Sequence, residues 1–168
     1  MNELEKFHEI DTFLFDVDGV FTDSQLLVTE NGELLRQMNV RDGYAVKLAI
    51  RQGYRVGIIT GGSSEGVKLR LQGLGVRDIF LGISEKIAAY ETYLERYQIN
   101  LNGEGRILYM GDDMPDYEVM RRVGLPCCPS DAAAEIVGIC KYISPREGGK
   151  GCVRDVIEKV LKIQGKWA

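Results

Sequence analysis

Two aspartates, Asp16 and Asp18, stand where the short apolar run Thr12-Phe13-Leu14-Phe15 gives out, and Gly19 follows them. In an extended strand alternate side chains share a face, so the two carboxylates start on one side of the chain before the glycine turns it. Close carboxylates repel, which raises the pKa of one of them unless a cation lies between; the pair reads as a metal site, an acid/base couple, or both. The same residues also suit a plain acidic turn at a strand end or the opening of a calcium loop. The calcium loop fits poorly, because an EF-hand needs further oxygen ligands and a bidentate glutamate between two helices, whereas here an apolar strand precedes and Val20-Phe21 follows.

Three further signals follow along the chain. The run Val56-Gly57-Ile58-Ile59 ends in Thr60-Gly61-Gly62-Ser63-Ser64, where backbone N–H groups at a helix start attract anions and the Thr60 hydroxyl adds a donor. Lys86 sits near the start of a helix that Ser84 opens, the less favourable end of the helix dipole for a cation, which argues for a functional reason. Ile107-Leu108-Tyr109-Met110 runs into Gly111-Asp112-Asp113-Met114-Pro115-Asp116, a second acidic cluster at a strand end. Asp113 either orients the site or caps the helix that begins at Met114-Pro115.

The elements needed to gather these residues are an alternating series of strands and helices. The carboxyl ends of the strands in an open parallel sheet line one crevice, so Asp16, Asp18, Thr60, Lys86 and Asp112 converge there. Core stripes are read at Ala45, Val46, Leu48 and Ala49; at Val67, Leu69, Leu71 and Leu74, ended by Gly75; at Ile87, Tyr90, Tyr93, Leu94 and Tyr97; and at Val153, Val156, Ile157, Val160 and Leu161. Asn100 to Gly105 reads as a polar loop. Leu26-Leu27-Val28 and Leu34-Leu35 flank Glu30-Asn31-Gly32-Glu33, a hairpin signal spanning about residues 24–38. The 168 residues fit a single domain, 1–168, and the gaps from Asp18 to Thr60 and from Thr60 to Lys86 are too short for a separate lid.

Aspartate pair, threonine, lysine and distal acidic cluster, in that order, resemble the haloacid dehalogenase superfamily of phosphotransferases. The stretches FDVDGVFTDSQLL, NVRDGYAVKLA, TGGSSE, GDDMPD and EGGKGCVRDVIEKVL are similar, more narrowly, to the 3-deoxy-D-manno-octulosonate 8-phosphate phosphatases. That resemblance implies an α/β, Rossmann-like parallel sheet sandwiched by helices, with no cap domain and a protruding β-hairpin. It also implies Mg²⁺ as cofactor, and as substrate a phosphorylated keto-deoxy sugar acid, hydrolysed in lipopolysaccharide precursor synthesis. Asp16 would be the nucleophile that forms an aspartyl-phosphate, and Asp18 the proton donor and acceptor. Thr60 and Lys86 would hold the phosphoryl group; Asp16, Asp112 and the backbone carbonyl of Asp18 would hold the metal. Asp113, Asp116 and Gly61 would support them. The family further implies a homotetramer, in which the hairpin packs on neighbouring subunits and the C-terminal tail of one subunit reaches the next active site. That tail would be Arg146-Glu147-Gly148-Gly149-Lys150-Gly151, with Arg146 and Lys150 drawing an anionic ligand; the alternative is an ordinary loop before the last helix. Arg41 and Asp42 are candidates for sugar-side contacts or for pinning the hairpin, with a surface salt bridge as the alternative, and Gly62 is a further candidate substrate contact. Many members carry an arginine after the Thr-Gly pair, and a related nononate phosphatase an acidic residue; Gly62 departs from both. A 2-keto-3-deoxy-nononate or N-acylneuraminate 9-phosphate phosphatase, and a non-catalytic oligomerisation module, therefore stand beside the main reading.

Composition narrows the field. A net charge of −4 argues against nucleic-acid binding, and no apolar run approaches membrane-spanning length. The acidic start, Met1-Asn2-Glu3-Leu4-Glu5-Lys6, lacks the apolar core of a signal peptide, and the cysteines Cys127, Cys128, Cys140 and Cys152 show no CxxC spacing. These features predict a cytoplasmic enzyme with reduced thiols. His8, the single histidine, gives no support to a histidine nucleophile or histidine-rich zinc site.

Overall fold

A computed structural model describes residues 2–168. Six parallel strands form the central sheet: β1 (Thr12–Phe15), β4 (Arg55–Ile59), β5 (Asp78–Phe80), β6 (Ile107–Met110), β7 (Leu125–Cys128) and β8 (Tyr142–Ile143). Their spatial order is β5-β4-β1-β6-β7-β8. From β1 the chain builds outward through β4 and β5 on one side, then returns to start again at β6 on the other. The crevice of such a sheet lies at this reversal, outside the carboxyl ends of β1, β4 and β6. β1 is buried along its whole length, as a strand covered on both faces must be.

Two helical layers cover the sheet. On one face lie α1 (Glu3–Glu9), α2 (Val40–Arg51), α3 (Glu65–Gly73) and α8 (Cys152–Ile163), packed on Phe13, Phe15, Ile58, Leu108 and Met110. On the other lie α4 (Lys86–Arg96), α6 (Tyr117–Met120) and α7 (Ala134–Val137), packed on Leu14, Ile59, Ile107 and Tyr109. The alternation of Phe13 and Phe15 against Leu14 is the period-two rule of a strand sending neighbours to opposite faces. The stripe Val153, Val156, Ile157, Val160 and Leu161 is fully buried, as its helical spacing predicts. Leu69, expected in the core, is exposed on the outer side of α3, because the i, i+4 pair Val67 and Leu71 takes the inward face. The polar stretch expected as a loop at 100–105 contains one short helical segment, α5 (Leu101–Glu104), capped by the Asn100 side chain.

The hairpin is built from β2 (Leu27–Val28) and β3 (Leu34–Leu35), antiparallel and apart from the main sheet. Gly32 takes φ +82° in its turn, a conformation costly for a side-chain-bearing residue. Among the described residues no separate lid stands over the sheet; the fold is α/β, with helices on both faces.

Candidate active site

β1 delivers Asp16 as the first residue past its end, and the chain then turns over Gly19, whose φ is +87°. No other residue fits there: a Cβ on Gly19 would collide with the carboxylate of Asp112, so this glycine lets the loop after β1 close on the loop after β6. Thr60 is the first residue past β4, and its hydroxyl accepts from the Gly62 amide at 3.2 Å. α3 begins just beyond, with Ser64 accepting from the Val67 amide as its cap. α4 begins at Lys86, not with the expected serine cap: Glu85 occupies the cap position without a side-chain bond, and Ser84 lines a pocket with Asp16, Thr60 and Asp112 instead.

Lys86 bridges two carboxylates, its Nζ lying 2.9 Å from Asp16 Oδ1 and donating to Asp116 Oδ1 at 2.8 Å. Asp116 is wholly buried and satisfied: Oδ1 also accepts from the Tyr109 hydroxyl, and Oδ2 accepts from the Asp112 and Asp113 amides. Asp16 Oδ1 also accepts from the Val17 amide at 2.7 Å. Asp113 caps the 3-10 turn Met114–Asp116 through the Met114 amide, the capping alternative of its two expected roles.

The electrostatics follow from crowding. Asp16, Asp112 and Asp116 each place a carboxylate oxygen within 4.8 Å of the others. Burial and then the charge of Asp116 push the Asp16 carboxyl well above the ordinary aspartate range. Burial, with Asp116 again next, raises Asp112 to about 6. Burial opposes the charge on Lys86, yet Asp16 and Asp116 outweigh it and the ammonium is held above its usual range. Three acids face one lysine, an arrangement short of positive charge, and its all-oxygen donors are the set that suits Mg²⁺.

Asp16, Asp18, Thr60, Gly61, Gly62, Lys86, Asp112 and Asp113 share one pocket of about 370 Å³. Asp18 enters it, but its carboxylate lies outside the acidic cluster and is held by Arg36. Arg41, Arg146 and Lys150 are not brought to this pocket. They line a separate basic cleft of about 780 Å³ along α8, with Arg154, Lys159 and Lys162. The segment 146–151 is no free tail either. Gly148 donates to Asp131 Oδ1 and Gly149 to the Val20 carbonyl, and a Cβ on Gly148 would collide with the carbonyl of Gly19. Within its own chain it forms the loop before α8, braced against the β1 loop. Asp42 forms no surface ion pair: it is buried, and accepts from the Arg154 amide at 2.9 Å.

Sequence reading missed two residues. Tyr109 carried a signal, since a hydroxyl inside a fully buried strand needs a polar partner. Arg36 carried none; it directly follows β3 and meets Asp18 only through the fold.

No family model matches the chain. Curated relatives do. The 3-deoxy-D-manno-octulosonate 8-phosphate phosphatase of Escherichia coli is 36% identical over 163 residues, covering 97% of this chain and 85% of the relative. The chain belongs to the 3-deoxy-D-manno-octulosonate 8-phosphate phosphatase family. The Yersinia pestis member is 33% identical over 97% of this chain and 86% of its own length. Its crystal structure superposes with a TM-score of 0.92. The Moraxella catarrhalis member, solved in complex with magnesium ion, phosphate ion and KDO, is 32% identical over 98% of this chain and 94% of that one, with a TM-score of 0.91. The relatives are phosphoric monoester hydrolases, and the parallel sheet without a cap is the architecture that this chain shares with them.

Proposed function

We propose that this chain is a magnesium-dependent phosphatase that hydrolyses 3-deoxy-D-manno-octulosonate 8-phosphate to the free sugar acid and phosphate, in lipopolysaccharide precursor synthesis. The observation that carries the reading is the convergence of Asp16, Thr60, Lys86 and Asp112 at the carboxyl ends of neighbouring strands in a chain of this family. Asp16 and Asp112, with the backbone carbonyl of Asp18, would hold the Mg²⁺. Bound there, the ion would neutralise charge on the nucleophile and on the phosphoryl oxygens.

The chain's own residues account for the rest. Asp16 Oδ1 is engaged by Val17 and Lys86, which leaves Oδ2 to attack phosphorus in line and form an aspartyl-phosphate. Asp18 gives a proton to the departing sugar oxygen, then takes one from the water that releases phosphate. The Thr60 hydroxyl, the Gly61 amide and the Lys86 ammonium bind the phosphoryl oxygens as charge spreads over them. Asp116, anchored by Tyr109 and two amides, holds Lys86 in place.

The reading extends to the whole protein: one domain over residues 1–168, working in the cytoplasm as a homotetramer whose subunits meet through the hairpin. Leu26, Leu27, Val28, Leu34 and Leu35 are all exposed there, an apolar surface suited to a second copy of the chain. No described helix is long and apolar enough to cross a membrane.

Phosphate release with Mg²⁺ from 3-deoxy-D-manno-octulosonate 8-phosphate, the nine-carbon keto-deoxy 9-phosphates, hexose phosphates and a chromogenic aryl phosphate tests the proposal. Preference for the eight-carbon ester, abolished by Asp16→Asn, is expected. Preference for a nine-carbon ester would keep the mechanism and move the substrate; silence on every ester would leave a non-catalytic module.

A further inference from the structure

Arg36 directly follows β3, at the foot of the hairpin, and its guanidinium lies against Asp18. Nε donates to Oδ1 at 2.7 Å and Nη2 to Oδ2 at 3.2 Å. The arginine side chain is 7% exposed and that of Asp18 38%, so the guanidinium is covered while the carboxylate keeps an open side. Gly62 leaves the room: a Cβ there would lie 3.0 Å from Arg36 Nη2 and 3.3 Å from Asp18 Oδ2. Asp18 lines the catalytic pocket and Arg36 does not, so Arg36 reaches the chemistry through Asp18. A guanidinium fork fixes the plane of a carboxylate as well as its position, which a lysine cannot do.

We propose that Arg36 is a positioning residue for the water step, holding the Asp18 carboxylate toward the pocket while water attacks the aspartyl-phosphate. In that step the water oxygen bonds to phosphorus as the bond from phosphorus to Asp16 breaks. The water proton passes to Asp18, and phosphate leaves. The inference rests on the phosphatase reading and makes the foot of the hairpin part of the catalytic apparatus.

Pre-steady-state kinetics with a chromogenic aryl phosphate test it, because a good leaving group departs without a proton and isolates the water step. Arg36→Gln is expected to lower kcat about 10- to 100-fold, part of the roughly 10²- to 10⁴-fold that an acid–base group contributes, while kcat/KM falls less than about threefold. A burst of phenolate approaching the active-site concentration accompanies it, since the aspartyl-phosphate accumulates. In an Asp18→Asn background the same change adds less than about twofold, because the two residues act as one unit. Arg36→Lys, which keeps the charge without the fork, falls between and guards against a merely unfolded variant. Equal falls in kcat and kcat/KM without a burst, or a fully additive loss in the double variant, would overturn the inference in an active enzyme. A wild type silent on all esters would overturn the phosphatase reading itself, a separate result.

Discussion

Lys86 stands between two carboxylates, and its side chain is almost wholly buried. Removing one member of a buried ionic cluster leaves the others uncompensated, at about 3 to 5 kcal/mol. Lys86→Met should therefore lower the thermal midpoint in the absence of metal, and Mg²⁺ should restore part of it, because a cation bound to the native state alone stabilises that state. Turnover should fall about 10²- to 10³-fold, the usual cost of deleting one group that stabilises transition-state charge. A variant as stable as wild type in chelator would show that the three acids do not need the lysine. At this scale most of the site was legible, since Asp16, Thr60, Lys86 and Asp112 each announce themselves by residue type at a strand end or helix start. Arg36 was not legible, because nothing local distinguishes it from any solvated arginine.

At the scale of elements, α2 and α8 are joined by Asp42, whose Oδ1 accepts from the Arg154 amide while its buried Oδ2 has no partner. Burial raises the Asp42 carboxyl to about 6, against the opposing pull of the Arg154 amide and guanidinium. The fold thus prefers the protonated acid: its contribution is fully present below the ordinary aspartate pKa and is lost as pH rises from about 4 to about 6. Asp42→Asn should remove this slope and be more stable than wild type at pH 8 by up to about 3 kcal/mol, the equivalent of roughly two pKa units. Urea unfolding of both proteins across that window measures it, and parallel curves would refute the assignment. The loop before α8 gives a second prediction. Gly148→Ala forces a Cβ onto the carbonyls of Gly19 and Thr22, backbone that cannot swing away as a side chain can. Both the melting temperature and turnover should drop, because the displaced loop carries Asp18; wild-type activity would show that this loop does not brace the site. The sequence allowed this segment two readings, a tail for a neighbour or a loop, and the glycines fit either, since close backbone approach looks the same in sequence whichever chain is approached.

At the scale of the whole molecule, the strand–helix alternation was readable because each element carries its own period, and β1 lies where its apolar run predicts. The apolar hairpin was readable too, from an Asn-Gly turn between two leucine-rich runs. If the proposed homotetramer meets through the hairpin, Leu27→Asp with Leu35→Asp should dissociate it, since charge placed in an apolar interface core is costly there. Sedimentation at working concentration should show a tetramer for wild type and smaller species for the variant, and a fully active wild-type monomer would remove the hairpin's proposed role.

By itself, the sequence determined the alternation of the strands and helices that carry the site, and the carboxylate, hydroxyl and ammonium groups at strand ends and a helix start, since each depends on residues within a few positions of one another. Tertiary structure alone decided which cations meet which acids. Arg36 reaches Asp18 across 18 residues and Lys86 reaches Asp116 across 30, while Arg41, Arg146 and Lys150 gather in a cleft of their own. Charge pairing acts through space, and the path of the chain between two charges is set by the burial of other residues.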